Sequence, residues 1–173
     1  MNRRQFVATV GVAALGGCST LNGDDEIATP TSGPEGGTTT VEMKTDGNGS
    51  YFDPIGLYLK PGDSVTFVVK SGNHSASAYH PDNIYAETTR IPEDAPAWGS
   101  KVLQKGESYE HTFNAVGTHD YYCIPHKPLG MVGRIIVGKP GGPADGSMPP
   151  DGEVPKTKPI LEEESVSYEE FSG

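Results

Sequence analysis

Cys123, His126 and Met131 fall within nine residues, in the run Cys123-Ile124-Pro125-His126-Lys127-Pro128-Leu129-Gly130-Met131. A thiol, an imidazole and a thioether therefore share one short loop, whose Pro and Gly residues mark a tight turn. Soft sulfur donors select copper, Cu(I) especially, and imidazole suits Cu(II) as well. Two imidazoles and one thiolate in a trigonal set, with a long axial Met, form the donor group of a one-electron copper site. A second imidazole must then come from elsewhere in the chain. His74, in Ser71-Gly72-Asn73-His74-Ser75, directly follows a strongly alternating segment and is the leading candidate. His80, beside Pro81, is the alternative.

Such a loop holds its ligands only if rigid elements fix both of its ends. Short segments alternating apolar and polar residues supply them: Thr39–Lys44, Ser64–Lys70, Ser108–Phe113, Thr118–Cys123 and Val132–Val137 all read as strands. Val65, Phe67 and Val69 share one face of the second. Turn signals such as Pro61-Gly62-Asp63 and Lys105-Gly106-Glu107 separate them. About seven such strands in roughly a hundred residues predict an all-β, two-sheet sandwich. Residues 80–100, with Pro81, Pro92 and Pro96, read as a long surface connection. His111 and His119 alternate with aromatic residues and are expected in the sheet or core rather than on a metal. Trp98 is expected to plug the core beneath the long connection. Tyr122, next to Cys123 but on the opposite strand face, is expected to pack within the sandwich, with a second electron path as the alternative.

The chain has 173 residues, with 23 Gly and 15 Pro but only 8% aromatics, a profile that argues against a helical bundle. A formal net charge of −10 argues against nucleic acid, which needs clustered Lys and Arg. No apolar run reaches the ~18 residues needed to span a bilayer. Residues 1–17 combine Arg3-Arg4 with a short apolar stretch and small residues, the pattern of a twin-arginine export signal. Ala14-Leu15-Gly16-Gly17-Cys18 has the form of a lipobox, so Cys18 is the expected lipid-bearing residue. Residues 18–37, rich in Gly, Pro, Ser, Thr and acids, read as a disordered tether. Residues 139–173 read as an acidic Gly/Pro-rich tail whose glutamates are solvated.

Three blocks carry a resemblance to the small type 1 (blue) copper proteins, the cupredoxin family of plastocyanin, pseudoazurin, amicyanin and halocyanin-like proteins. They are Phe52 to Phe67, Asn73-His74-Ser75, and Gly117 to Gly133. The resemblance covers residues 38–138 and implies a Greek-key cupredoxin sandwich there. Carried over by position, it implies His74, Cys123, His126 and Met131 as ligands of one copper per chain. Ser75 stands where the family often has Asn, and its hydroxyl can still bridge to the thiolate loop. Pro125 lacks a backbone N–H and cannot donate one to the Cys123 sulfur. The resemblance implies a blue-copper electron carrier, not an enzyme, with transient redox partners docking on an apolar rim of Pro54, Ile55, Pro128 and Leu129 around His126. The lipobox, acidic bias and twin-arginine pattern match the membrane-tethered halocyanin subgroup, outside the cell membrane. The alternative function is an extracytoplasmic copper chaperone or store. No His-x-His pair and no second ligand cysteine occur, which argues against multicopper catalysis.

Overall fold

The computed structural model describes residues 36–173. The chain runs through β1 (Thr38–Asp46), β2 (Gly49–Asp53), β3 (Gly56–Leu59), β4 (Asp63–Val69), β5 (Asn73–His74) and β6 (Ser77–Ala78). After the long connection come β7 (Leu103–Gln104), β8 (Ser108–Phe113) and β9 (Gly117–Tyr122). A 3-10 helix (Ile124–Leu129) then leads to β10 (Val132–Val137), α1 (Thr157–Glu163), β11 (Ser165–Val166) and α2 (Tyr168–Ser172).

Two sheets face each other. One has the order β2-β1-β4-β8, the other β11-β3-β10-β9-β6, and β5 pairs with β7 in a short third ladder. The pairings β1 with β4 and β3 with β10 are parallel, and the crossovers they require give the sandwich its mixed topology. The alternation in β4 places Val65, Phe67 and Val69 in the core, opposite Tyr121, Ile135 and Val137 of the other sheet. Trp98 closes one end of this core. It is 4% exposed, stacked at 5.8 Å on Phe67 and 5.0 Å on His111. Gly133 has no alternative at its position, because a Cβ there would lie 2.4 Å from the Tyr121 ring.

The five long strands read from the sequence all form, within one or two residues of their expected ends. The expectation for residues 139–173 gives way. Rather than a solvated tail, this segment folds across the outer face of the second sheet. Ile160 and Val166 pack on Ile136, Val154 packs on Tyr122 and Val132, and β11 adds antiparallel to β3. The glutamates of the segment are exposed as expected, but the chain that carries them is docked. The cause lies in the strands beneath: every residue of β9 and β10 is buried, so the outward face of that sheet needs a cover.

A polar lock holds the cover in place. Asp120 is fully buried and accepts hydrogen bonds from Arg90 Nε (2.8 Å), Arg134 Nε (2.8 Å) and Arg134 Nη2 (3.0 Å). The two guanidinium groups also donate to the Ala144 and Ser147 carbonyl oxygens of the C-terminal segment. Residues 1–35, including Cys18 and the expected signal and lipid site, lie outside the described residues. Among the described residues no helix is long and apolar enough to cross a membrane.

Candidate metal centre

Two strand ends and one loop meet at one end of the sandwich. β4 finishes at Val69, and a turn with Gly72 at φ +79° delivers His74 on β5. β9 finishes at Tyr122 and delivers Cys123. The 3-10 helix, with Pro125 in its first turn and Gly130 capping it at φ 86°, carries His126 and returns the chain to Met131. The loop is pinned by its own backbone: Cys123 N–H donates to Met131 O (3.0 Å), His126 N–H to Cys123 O (3.1 Å), and Met131 N–H to His126 O (3.2 Å).

This brings His74, Cys123 and His126 together, with one donor atom of each within 4.8 Å of the others. Cys123 Sγ lies 3.6 Å from His74 Nδ1 and 3.4 Å from His126 Nδ1. The two rings stand 4.8 Å apart at an angle of 49°. His74 Nε2 lies 2.8 Å from the Ser71 carbonyl oxygen, which only accepts, so Nε2 carries the proton and the Nδ1 lone pair is free to bind a metal. Met131 is 1% exposed, and its main chain is bonded to both Cys123 and His126. His80 lies outside this cluster, with its Nδ1 accepting from Asp82 N–H at 3.2 Å.

Burial pushes the Cys123 thiol up and both His74 and His126 down from their ordinary ranges. Both shifts favour the neutral imidazole that a ligand must be, and a metal binding here would displace the thiol proton. Ser75 tempers the cysteine. Its N–H donates to Sγ at 3.4 Å, and its hydroxyl accepts from Ile124 N–H at 2.8 Å. The hydroxyl therefore ties the His74 strand to the first residue of the ligand loop.

Residues 39–138 match the copper binding proteins of the plastocyanin/azurin family. The chain belongs to that family. Among its relatives, the chloroplastic plastocyanin of Chlamydomonas reinhardtii is 35% identical over 102 residues, spanning 57% of this chain and 66% of that protein. The plastocyanin of Scenedesmus fuscus is 32% identical over 102 residues, which is 57% of this chain and 97% of that protein. A solved pseudoazurin from Sinorhizobium meliltoi superposes with a TM-score of 0.52 at 29% identity, over 73% of this chain and 92% of that one. Copper is the metal of the family, and one cysteine sulfur with two imidazoles, His74 and Cys123 buried and His126 at the partly exposed edge, is a donor set that fits it.

Around the site, Leu129 is 74% exposed and Pro128 is exposed, while Pro54 is half-buried. Ile55 departs from the expected rim: it is 3% exposed, and its N–H is bonded to Val166 O of the C-terminal segment. It still lines, with His126, Leu129, Tyr51 and Tyr168, a surface cleft of about 490 Å³. His111 and His119 sit in the sandwich as expected. His119 Nε2 donates to Ala115 O at 2.9 Å, and its Nδ1 has no partner among the described residues. Tyr122 is fully buried against Tyr79, and its hydroxyl donates to Ile84 O.

The sequence reading missed Arg90, Asp120 and Arg134, and with them the packed C-terminal segment. A partial signal was present: Ile135-Ile136-Val137 puts apolar residues on both faces of the strand, the mark of a strand covered on both sides.

Proposed function

We propose that this chain is a blue-copper one-electron carrier in which His74, Cys123, His126 and Met131 hold the metal. Bound copper would supply Cu(II)/Cu(I) redox chemistry. The observation that carries the reading is the buried cluster itself. A thiolate and two imidazoles are presented by strand ends and a backbone-pinned loop, while an exposed apolar residue, Leu129, lies beside His126. The residues around the site do three things. The packed sandwich holds His74 and the sulfur in place and the backbone-pinned loop carries His126, so a change of charge at the site needs little rearrangement. The Ser75 N–H offsets part of the negative charge on sulfur. Burial of Cys123 and Met131 keeps water away from both sulfur donors.

The same reading extends to the whole chain. Residues 1–17 export it, lipid on Cys18 anchors it outside the membrane, and the tether lets it reach redox partners. These partners dock around His126 through Pro54, Pro128 and Leu129, in the small transient contacts that fast turnover requires.

Electron paramagnetic resonance and visible absorption of the copper-loaded protein test the reading. The expected result is an intense thiolate-to-copper band with reversible one-electron reduction, lost in Cys123→Ser. A colourless copper complex with an ordinary tetragonal signal would refute it and favour a copper store.

A further inference from the structure

The two imidazoles are not held alike. His74 is oriented by its Nε2–H bond to Ser71 O. The Nε2 of His126 has no hydrogen-bond partner among the described residues, so the orientation of this ring depends on the loop that carries it. The next residue in that loop, Lys127, points away from the copper cluster into a polar clasp. Its ammonium lies 3.1 Å from Asp151 Oδ1 and 3.0 Å from Oδ2. It also stands 5.9 Å from the Tyr79 ring centre and 5.7 Å from that of Tyr122. Tyr79 completes the clasp by donating its hydroxyl to Asp151 Oδ2 at 2.7 Å.

Asp151 belongs to the C-terminal segment, beyond the residues that match the family. The segment touches the loop through its backbone too. A Cβ on Gly152 would lie 2.8 Å from the Gly130 carbonyl oxygen, so the two main chains run in direct contact. An exposed Lys–Asp pair would matter little. Here the two side chains are only 13% and 20% exposed, the bonds are charge-assisted, and two aromatic faces flank the cation.

We propose that Asp151 is a positioning residue for electron transfer: through Lys127 it braces the ligand loop and thereby fixes His126. The inference rests on the copper reading above, but it has a readout that needs no metal. In metal-free, full-length Asp151→Asn, amide exchange at His126, Gly130 and Met131 should accelerate about tenfold, roughly what one charge-assisted bond is worth. Val41 and Phe67, in the opposite sheet, should exchange at the wild-type rate. Uniform acceleration, or none, would overturn the proposal.

The copper-loaded protein supplies the second arm. Asp151→Asn removes a negative charge and should raise the reduction potential, whereas Lys127→Met removes a positive one and should lower it. The double variant keeps the wild-type net charge. If Asp151 positions the loop, the double variant retains an altered potential and altered copper hyperfine couplings, and Asp151→Glu recovers part of the wild-type values. Wild-type values in the double variant would mean that charge alone acts, and would overturn the proposal. A wild-type protein without a blue copper signal would instead remove the copper reading and leave the exchange result standing.

Discussion

Asp120→Asn tests how the C-terminal cover is attached. The carboxylate accepts three hydrogen bonds from the guanidinium groups of Arg90 and Arg134, residues that are themselves 8% and 2% exposed. An amide of the same shape keeps one acceptor oxygen and turns an NH2 group toward donors. It also leaves two buried cations with no counter-charge. Removing one partner of a buried ion pair costs about 3–5 kcal/mol. Domains of this size have stabilities of about 5–15 kcal/mol, so the loss would be a large fraction of the total. Urea unfolding followed by the fluorescence of Trp98, the single tryptophan, reads it directly. Because Arg90 and Arg134 also hold the Ala144 and Ser147 carbonyls, limited proteolysis of the variant should begin in residues 139–173. The copper spectrum should persist, since Asp120 and Cys123 lie on opposite faces of their strand. A loss below about 1 kcal/mol would show that these guanidiniums are satisfied without Asp120, and would refute the lock.

Burial pushes His119 down to about 4, against the opposing effect of its bond to Ala115 O. Its native form is therefore neutral, and the unfolded chain binds the extra proton first. Stability from this group is complete above about pH 6.5 and falls toward pH 4, by about 3 kcal/mol in total. Urea titrations at stepped pH should show a flatter profile for His119→Gln than for the wild type, and parallel profiles would exclude His119 as the cause. Ser75→Ala should cost about 1–3 kcal/mol by stranding the Ile124 N–H, while retaining the blue band because the residue-75 N–H still reaches sulfur. A bleached variant would mean that the hydroxyl itself shapes the metal site. Leu129→Glu should leave stability within about 0.5 kcal/mol yet slow electron self-exchange, as measured by nuclear magnetic resonance line broadening. Equal slowing with a small inorganic reductant would place the effect at the metal instead.

The loop and its strands were legible because both depend on local signals. Cys123, His126 and Met131 lie close in sequence, Val65-Thr-Phe-Val-Val alternates, and Pro-Gly turns separate the strands. His74 was legible only as a candidate beside His80, because its place depends on a contact 49 residues away in the chain. The C-terminal segment was not legible from its composition. Its Gly, Pro and Glu content resembles a solvated tail, and the few residues that dock it, Val154, Ile160 and Val166, are too sparse to show a period. The evidence for docking lay instead in Ile135-Ile136-Val137, apolar on both faces of β10, and in the arginine beside them. Asp151 was hidden for the same reason, since nothing near it in sequence hints that it meets Lys127.

The pairing of β11 with β3 has a consequence for life at high concentration. Ile55 N–H and Tyr58 N–H are satisfied by Val166 O and Glu164 O. Stripped of those partners, β3 would present a bare row of amides and carbonyls, ready to recruit the same strand from a second molecule. Glu164 and Val166 thus cover an edge of backbone that would otherwise be open to a second strand.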